Sequence, residues 1–563
     1  MEAKTFRRSI FKNTLNLIKL YWEGDQKKTA IWLTLLIVTT IIFSVYNITH
    51  LNKWYQAFYI AIEKKDLHQI VRQLLVFLLI ILIAGILLFM ENYLIHSLRL
   101  KWRRWLTKHC LNEWFEKKVY YKTRLHESYI DNPDQRISED IFNFVRISSD
   151  VFKDIVRSIC TIVVFTVILW HLSKDLTDIP IPGYLVFMTI LYSIIGYISV
   201  HIIGKNLRKF KYNQHKYEAD FRYDLVKVRE NSESIATYSG EKYEHNILTS
   251  LFNKISNNNI RIFAKERYLI VFSYLYNELS NVFSIAISLP SFVSGIISFG
   301  TLIQICEACK RVNNSLSYFL NSYFVIAELE SVVDRLSIFL RHVNVKSKNT
   351  YSFQIKKSKM LNISIKKLEV FLPNKTACLL KCDDLTLQFG QHVLIDGPNG
   401  IGKSTFLKVL AGIWPYVNGL ICTPERCAFV PQKMYFTGNS LTTILSYPHD
   451  YLNVSNKDLF KIMKIFEIDY LFNQMDRNHD WNIELSHSEQ QRIILIRALL
   501  HKPKWLLIDE QLEDLSDNVI ANLLDYISDS KHQITVISTS NFYNKNNVCK
   551  ITINKDDKML VKI

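Results

Sequence analysis

Glycine and proline are scarce in this chain: 15 Gly and 11 Pro in 563 residues. That excludes collagen-like and linker-like compositions. Cysteine is sparse too, nine residues scattered through a long chain, which excludes a small disulfide-stapled scaffold. Long polar tracts are missing while aromatics reach 13%, so the chain is not built as a disordered one. Acidic residues are outnumbered, 52 against 69 Lys and Arg, leaving a formal net charge of +17. An excess of this size fits nucleic acid, anionic lipid, or the cytoplasmic loops of a membrane protein, and the placement of the charges decides between them.

What is present is a chain of two compositions. Apolar runs crowd the first part, and the last part reads as soluble. Met1 to Lys28 is basic, with Lys4, Arg7, Arg8, Lys12, Lys19, Lys27 and Lys28, and is too charged for a secretory signal. Within it, Asn13 to Trp22 suits a short helix at a membrane surface. Six apolar runs follow: Ala30 to Val45, Leu74 to Met90, Ile159 to Leu172, Tyr184 to Ile203, Tyr268 to Leu289 and the more polar Phe299 to Ile326. A bilayer core of ~30 Å takes ~20 residues of helix, so about six spans are expected. An uncharged stretch as long as Leu74 to Met90 exceeds what a soluble core helix needs.

Lys and Arg set the orientation. The N-terminus, Arg99 to Lys122 and Lys205 to Lys227 are strongly basic, whereas Ser173 to Gly183 holds one Lys and Pro290 to Ser298 no charge. The basic segments are therefore expected in the cytoplasm, an arrangement that accounts for the net charge without nucleic acid. Lys53, Lys64 and Lys65 run mildly against the trend. Leu98 to Asp154 and Gly204 to Arg267 are longer than loops require and carry helical periodicity, as at Phe221, Leu225, Val228 and Ile235. They are read as membrane helices continuing into the cytoplasm.

Around Asn344 to Tyr351 the composition turns polar, and beyond it short strand-like and helical runs alternate as in an α/β domain. The expected division is a transmembrane domain over 1–343, a linker over 344–356 and a nucleotide-binding domain over 357–563. Its strongest motif is Gly397-Pro398-Asn399-Gly400-Ile401-Gly402-Lys403-Ser404, after the strand-like His392 to Ile395 and opening a helix at Thr405. This is the context of a P-loop. Its glycines let backbone N–H groups wrap phosphate oxygens, and the helix N-terminus adds its dipole. Lys403 would neutralise the terminal phosphates of ATP and the Ser404 hydroxyl would reach Mg²⁺. A second run, Lys504 to Ile508, reads as a buried parallel strand ending in Asp509 and Glu510, at the end where ligands sit in such sheets. Asp509 would hold Mg²⁺, and Glu510 would orient and polarise the attacking water.

With these motifs the chain resembles an ABC transporter half-molecule, membrane domain first and ATPase second, over nearly its whole length. Gln432, in Val430-Pro431-Gln432, matches the family's Q-loop glutamine, which senses Mg²⁺ and the membrane domain. Leu410 to Pro415, and Pro431-Gln432-Lys433 leading to Leu445-Ser446-Tyr447-Pro448, are similar to subfamily D. Asn132 to Ile137, Glu218 to Arg222 and Arg229 to Ala236 resemble the membrane domain of subfamily D and of SbmA/BacA-type proteins. The resemblance implies a six-helix, exporter-type all-α membrane domain followed by an α/β P-loop ATPase. It implies a partner half-transporter, in a homodimer or heterodimer, and a substrate of the acyl-CoA, cobalamin or peptide class. A bacterial inner membrane is the expected location, from the many Ile, Lys and Asn.

The sequence departs from the family at three motifs and at the adenine-stacking position. The signature Leu-Ser-Gly-Gly-Gln stands as Leu485-Ser486-His487-Ser488-Glu489. Ser486 is the residue that in the family caps the γ-phosphate of nucleotide across a dimer, and the glycines beside it are gone. The switch histidine aligns with Asn541, which can hydrogen-bond a phosphate but carries no charge. The D-loop reads Glu513-Asp514-Leu515-Ser516, and the adenine-stacking aromatic falls at Leu372, beside Phe371. Nucleotide binding with slow hydrolysis is the expectation. Its rival is an ion-gradient-driven transporter whose ATPase domain is regulatory or degenerate. Cys306 and Cys309 lie in a span and carry no expected redox role, whereas Glu278 and Glu307, in or near spans, are expected to face a pathway, with Glu278 facing the central cavity or a cation such as Lys310 or Arg311 on the next span.

Overall fold

A computed structural model of the chain describes residues 2–125, 133–174, 181–204, 207–348, 354–373, 378–432, 434–436, 438, 440–449, 454–509, 515–529, 533–539, 548–553 and 559–562. The chain divides into two compact units, Met1–Glu113 with Asp131–Arg341, and Trp114–Ile130 with His342–Ile563.

The helices up to residue 348 are α1 (Glu2–Glu23), α2 (Lys27–Glu63), α3 (Leu67–Phe115), α4 (Val119–Arg124), α5 (Pro133–Gln135), α6 (Ile141–Lys174), α7 (Tyr184–Gly204), α8 (Leu207–Glu230), α9 (Ser232–Thr237), α10 (Glu241–Val293) and α11 (Phe299–Lys348). Six of them are long and carry the six apolar runs: α2, α3, α6, α7, α10 and α11. Among the described residues, four helical stretches are long and apolar enough to cross a membrane: Lys27–Glu63, Leu67–Phe115, Pro133–Lys174 and Tyr184–Glu230. The apolar runs of α10 and α11 are diluted by Asn277, Glu278, Ser280 and Ser284, and by Glu307, Lys310 and Arg311.

The burial pattern follows the helical repeat. On α2, Leu33, Ile37, Ile41 and Val45 recur every fourth residue and are buried. On α3 the reverse holds: Leu75, Leu78, Leu79, Leu82, Leu88 and Phe89 are all exposed. A continuous apolar surface of that kind calls for lipid rather than water. The basic N-terminal segment is the single helix α1, longer than the Asn13 to Trp22 stretch, and it packs on α3 through rings. Tyr21 is fully buried and stacks on Trp102 at 6.0 Å, and Trp22 meets the Trp102 ring edge-on at 4.9 Å.

Helix α11 continues through Lys348, across the polar residues Lys346 to Lys348. The second unit's strands are β1 (Gln354–Ser358), β2 (Ile363–Phe371), β3 (Cys378–Leu387), β4 (His392–Asp396), β5 (Val417–Pro424), β6 (Cys427–Val430), β7 (Trp505–Ile508), β8 (Thr535–Ser538), β9 (Val548–Ile553) and β10 (Leu560–Lys562). Its further helices are α12 (Lys403–Leu410), α13 (Leu441–Ser446), α14 (Asn456–Ile465), α15 (Trp481–Glu484), α16 (His487–Leu500) and α17 (Asp517–Ser528). One sheet has the order β1-β5-β2-β3 and the other β10-β9-β4-β8-β7-β6. In the second sheet β9, β4, β8, β7 and β6 are all parallel, and β10 is antiparallel. All residues of β7 and β8 are buried, as strands covered on both faces require. Leu125 packs against the apolar core of this unit, a cluster that includes Leu380, Phe406 and Leu407. The short segment around α4 thus folds with the second unit, although it follows directly on α3.

Candidate functional site

Parallel pairing brings the site together. Val393 of β4 pairs Ile537 of β8, Ile508 of β7 pairs Ser538, and Val430 of β6 pairs Ile508. The carboxyl ends of β4, β8, β7 and β6 therefore lie side by side. On them sit, in turn, the loop at Gly397, Thr539, Asp509 and the segment to Gln432. The Asp509 backbone N–H donates to Val430 O at 3.1 Å and the Thr539 N–H to Ile508 O at 3.3 Å, which extends the sheet order past the strands.

The Gly397 to Gly402 loop joins β4 to α12, with Lys403 as the first helical residue and Ser404 and Thr405 in the same turn. Gly402 has φ +113°, a left-handed conformation, and a Cβ there would lie 3.1 Å from the Leu379 side chain. Only glycine meets both demands at no cost. Lys403 Nζ donates to Gly397 O at 2.8 Å and lies 3.4 Å from Asn399 Oδ1, so the ammonium lies across the loop's concave side. Pro398, Gly400 and Ile401 complete the turn, where the Ile401 N–H donates to Pro398 O at 3.4 Å.

Asp509, at the end of β7, is 1% exposed. Burial pushes its carboxyl up; a hydrogen bond with Ser404 and the charges of Lys408 and Lys403 work against that. Its Oδ1 is buried with no hydrogen-bond partner. A buried carboxylate oxygen without a hydrogen-bond donor and a neighbouring serine hydroxyl are hard oxygen groups of the kind a divalent cation takes. The residues present therefore fit Mg²⁺, which Ser404 and Asp509 could hold through oxygen.

Gln432 is exposed, two residues beyond the end of β6. Ser486 belongs to a different local structure, as the N-cap of α16. Its hydroxyl donates to Glu489 Oε2 at 2.6 Å, its backbone N–H donates to the same oxygen at 2.8 Å, and the Glu489 N–H donates to Ser486 Oγ at 3.4 Å. The Tyr470 hydroxyl takes the other Glu489 oxygen. No hydrogen bond joins Ser486 to the P-loop among the described residues. His487 is exposed and Ser488 half-buried. Glu510, Glu513, Asp514 and Asn541 lie outside the described residues. Phe371 is half-buried against the sheet core and its carbonyl accepts from Trp414 Nε1 at 3.1 Å, whereas Leu372 is exposed.

One partner of the site escapes sequence reasoning. Asp396, the last residue of β4, pairs with Lys550 of β9 at 2.7 Å, and its Oδ1 accepts the Gly397 N–H at 2.8 Å. The hydrogen bond from Lys550 holds the Asp396 carboxyl below the usual carboxylate range. Only the pairing of β4 with β9, in which Asp396 faces Thr552, reveals it.

In the membrane unit, Glu278 is exposed on α10 and forms no ion pair among the described residues; Lys310 lies instead beside Glu307, at 3.9 Å. Glu91 is buried and paired with Arg157. Cys306 and Cys309 are free thiols on α11.

Residues 17–293 match the family model for ABC transporter transmembrane region 2, and residues 380–513 the model for ABC transporter. The chain is 29% identical to the inner membrane ABC transporter ATP-binding protein YddA of Escherichia coli, covering 92% of each chain. It is 30% identical to an uncharacterized ABC transporter ATP-binding protein of Synechocystis, over 90% of this chain and 77% of that one. It is 24% identical to the human lysosomal cobalamin transporter ABCD4, over 90% and 89%. Its fold matches a solved bacterial Atm1-family ABC exporter with a TM-score of 0.72, at 14% identity over 94% of this chain and 95% of the other. The chain belongs to the ABC transporter family, as a half-molecule with a helical membrane domain ahead of an α/β ATP-binding domain and with subfamily D members among its relatives.

Proposed function

We propose that this half-transporter couples MgATP binding, and slow hydrolysis, to movement of a substrate across a membrane. The observation that carries the reading is the buried, unpartnered Asp509 Oδ1 beside Ser404 at the mouth of the P-loop. In this reading Gly397, Pro398, Asn399, Gly400, Ile401, Gly402 and Thr405 present the backbone cradle to the phosphates. Lys403 exchanges its bonds to Gly397 O and Asn399 for phosphate oxygens. Ser404, Asp509 and Gln432 hold Mg²⁺, which when bound neutralises charge on the terminal phosphates. Glu510 orients the attacking water.

A second half-transporter, identical or different, completes each site by supplying its own signature, which in a homodimer is the partner copy of Ser486. The solved exporter that shares the fold was determined with ATP bound, which supports the nucleotide assignment. In a homodimer both sites would meet the sequence Ser486-His487-Ser488, where side chains stand in place of two glycines. A heterodimer would let a partner with an intact signature make one fast site. The basic N-terminus and long basic loops support a cytoplasmic N-terminus and ATPase domain, and the similarity to YddA supports a bacterial inner membrane. The substrate is proposed as acyl-CoA, cobalamin or a peptide.

Reconstitution into vesicles tests the reading. Substrate movement that requires MgATP, persists when the proton gradient is dissipated and is abolished by Glu510→Gln is the expected result. Movement that follows the gradient and ignores ATP would establish the ion-driven alternative.

A further inference from the structure

The crossing of α2 and α11 holds polar groups for which ATP binding has no use. Asn52 is 3% exposed, and its Nδ2 donates to the Gln304 carbonyl at 3.1 Å. That bond fixes which way the amide faces, and it leaves Asn52 Oδ1 buried with no donor. Gln304 is 5% exposed, and its Oε1 is likewise buried without a partner.

The two helices lie close at this crossing. Gln56 Nε2 donates across the crossing to Thr301 Oγ1 at 3.1 Å. Gly300 sits so close to α2 that a Cβ there would lie 2.4 Å from Gln56 O. One turn beyond Gln304, Glu307 adds a carboxylate that is mostly buried; its nearest cation is the half-exposed Lys310, at 3.9 Å. Glu307 and Arg311 both act electrostatically on Tyr55, which stands one turn beyond Asn52 on α2. Arg311 donates to neither amide oxygen, since both are without partners.

Buried acceptors are almost always satisfied, and two amide oxygens at one helix crossing call for a positive or donating occupant. Neutral carbonyl-type oxygens with a single nearby carboxylate suit a hard monovalent ion. A divalent or transition metal is disfavoured, because no group of three or more His, Cys, Asp or Glu side chains occurs among the described residues. We propose that the α2–α11 crossing binds a monovalent metal cation through Asn52 Oδ1 and Gln304 Oε1, with Glu307 supplying the counter-charge. The bound ion ties the first span to the last within one chain.

Thermal unfolding of the full chain in lipid–detergent micelles, in NaCl, KCl or N-methyl-D-glucamine chloride at equal ionic strength, tests this. The midpoint should rise saturably with Na⁺ or K⁺ and stay flat with the organic cation. Gln304→Ala and Glu307→Gln should each weaken the half-saturating concentration by about 10-fold or more. Glu307→Gln keeps the side-chain volume, so it decides the matter if Gln304→Ala fails to fold. The MgATP-induced shift, measured on the same samples, should persist in every variant, which separates this proposal from the nucleotide reading. Equal midpoints in the three salts would mean that water alone fills the crossing and would overturn the proposal. A cation shift undiminished in both variants would overturn it as well.

Discussion

Ser486 and Glu489 close on each other: the serine hydroxyl donates to Glu489 Oε2 at 2.6 Å, and the Glu489 N–H returns a bond to Ser486 Oγ at 3.4 Å. The N-terminus of α16 is thus capped by its own third residue. Burial works to raise the Glu489 carboxyl, but hydrogen bonds from Ser486 and Tyr470 outweigh it and hold the group below its ordinary value. The cap therefore contributes stability at neutral pH, present above the ordinary glutamate value and lost as pH falls through the lowered one.

In the proposed dimer a second chain's nucleotide would meet the side chains of His487 and Ser488 where the family has glycines. The triple substitution His487→Gly, Ser488→Gly and Asn541→His should raise ATP turnover of the reconstituted protein, on the order of 10- to 100-fold. A phosphate-release assay reads it. A wild-type rate that is already fast and is unchanged by the triple substitution would remove the signature from the account.

Asp509 makes a prediction of opposite sign for stability and function. Its carboxyl is raised by burial, so between the ordinary aspartate value and the raised one the folded state holds more protons than the unfolded. Stability contributed by the protonated form is present at low pH and is lost as pH rises through the raised value. Asp509→Asn should therefore stabilise the nucleotide-free protein at neutral pH and do nothing at pH 3. The same variant should lose the added stabilisation that Mg²⁺ gives to bound ATP. Melting curves with ATP plus EDTA and with ATP plus Mg²⁺ separate the two effects.

In the membrane domain, Asn313 ties three helices. Its Oδ1 accepts from the Ser193 and Tyr276 hydroxyls, each at 2.9 Å, and its Nδ2 donates to Ser280 Oγ at 2.9 Å. Asn313→Leu should destabilise the membrane domain by about 1–2 kcal/mol, the scale of polar contacts between membrane helices. Unfolding in micelles should show the loss, with MgATP affinity unchanged. A neutral effect would mean that the network is replaceable by apolar packing.

The parts legible in the sequence were those set by local pattern. His392 to Ile395 read as a strand and its residues alternate in burial, while the continuous apolar run Trp505 to Ile508 read as a buried strand because both faces of a parallel sheet are covered there. The glycines of the P-loop read directly because few other folds need that spacing. What stayed hidden depends on distant partners. Asp140 is clasped by Arg136 and by Arg335, 195 residues away. Lys550 finds Asp396 only through strand order. Lys346 to Lys348 resemble a linker by composition, yet they continue α11, since lysine is a good helix former. Leu125 joins the second unit through one apolar contact surface that no periodicity announces.

The central claim is that the P-loop at Lys403 binds MgATP. Titration of the purified full chain with a fluorescent ATP analogue and Mg²⁺, wild type against Lys403→Ala, tests it most directly. Loss of a charge-assisted phosphate contact of about 1.5–3 kcal/mol predicts affinity weakened on the order of 10- to 100-fold, with the fold intact by circular dichroism. Equal affinity for the two proteins would contradict the assignment of the site.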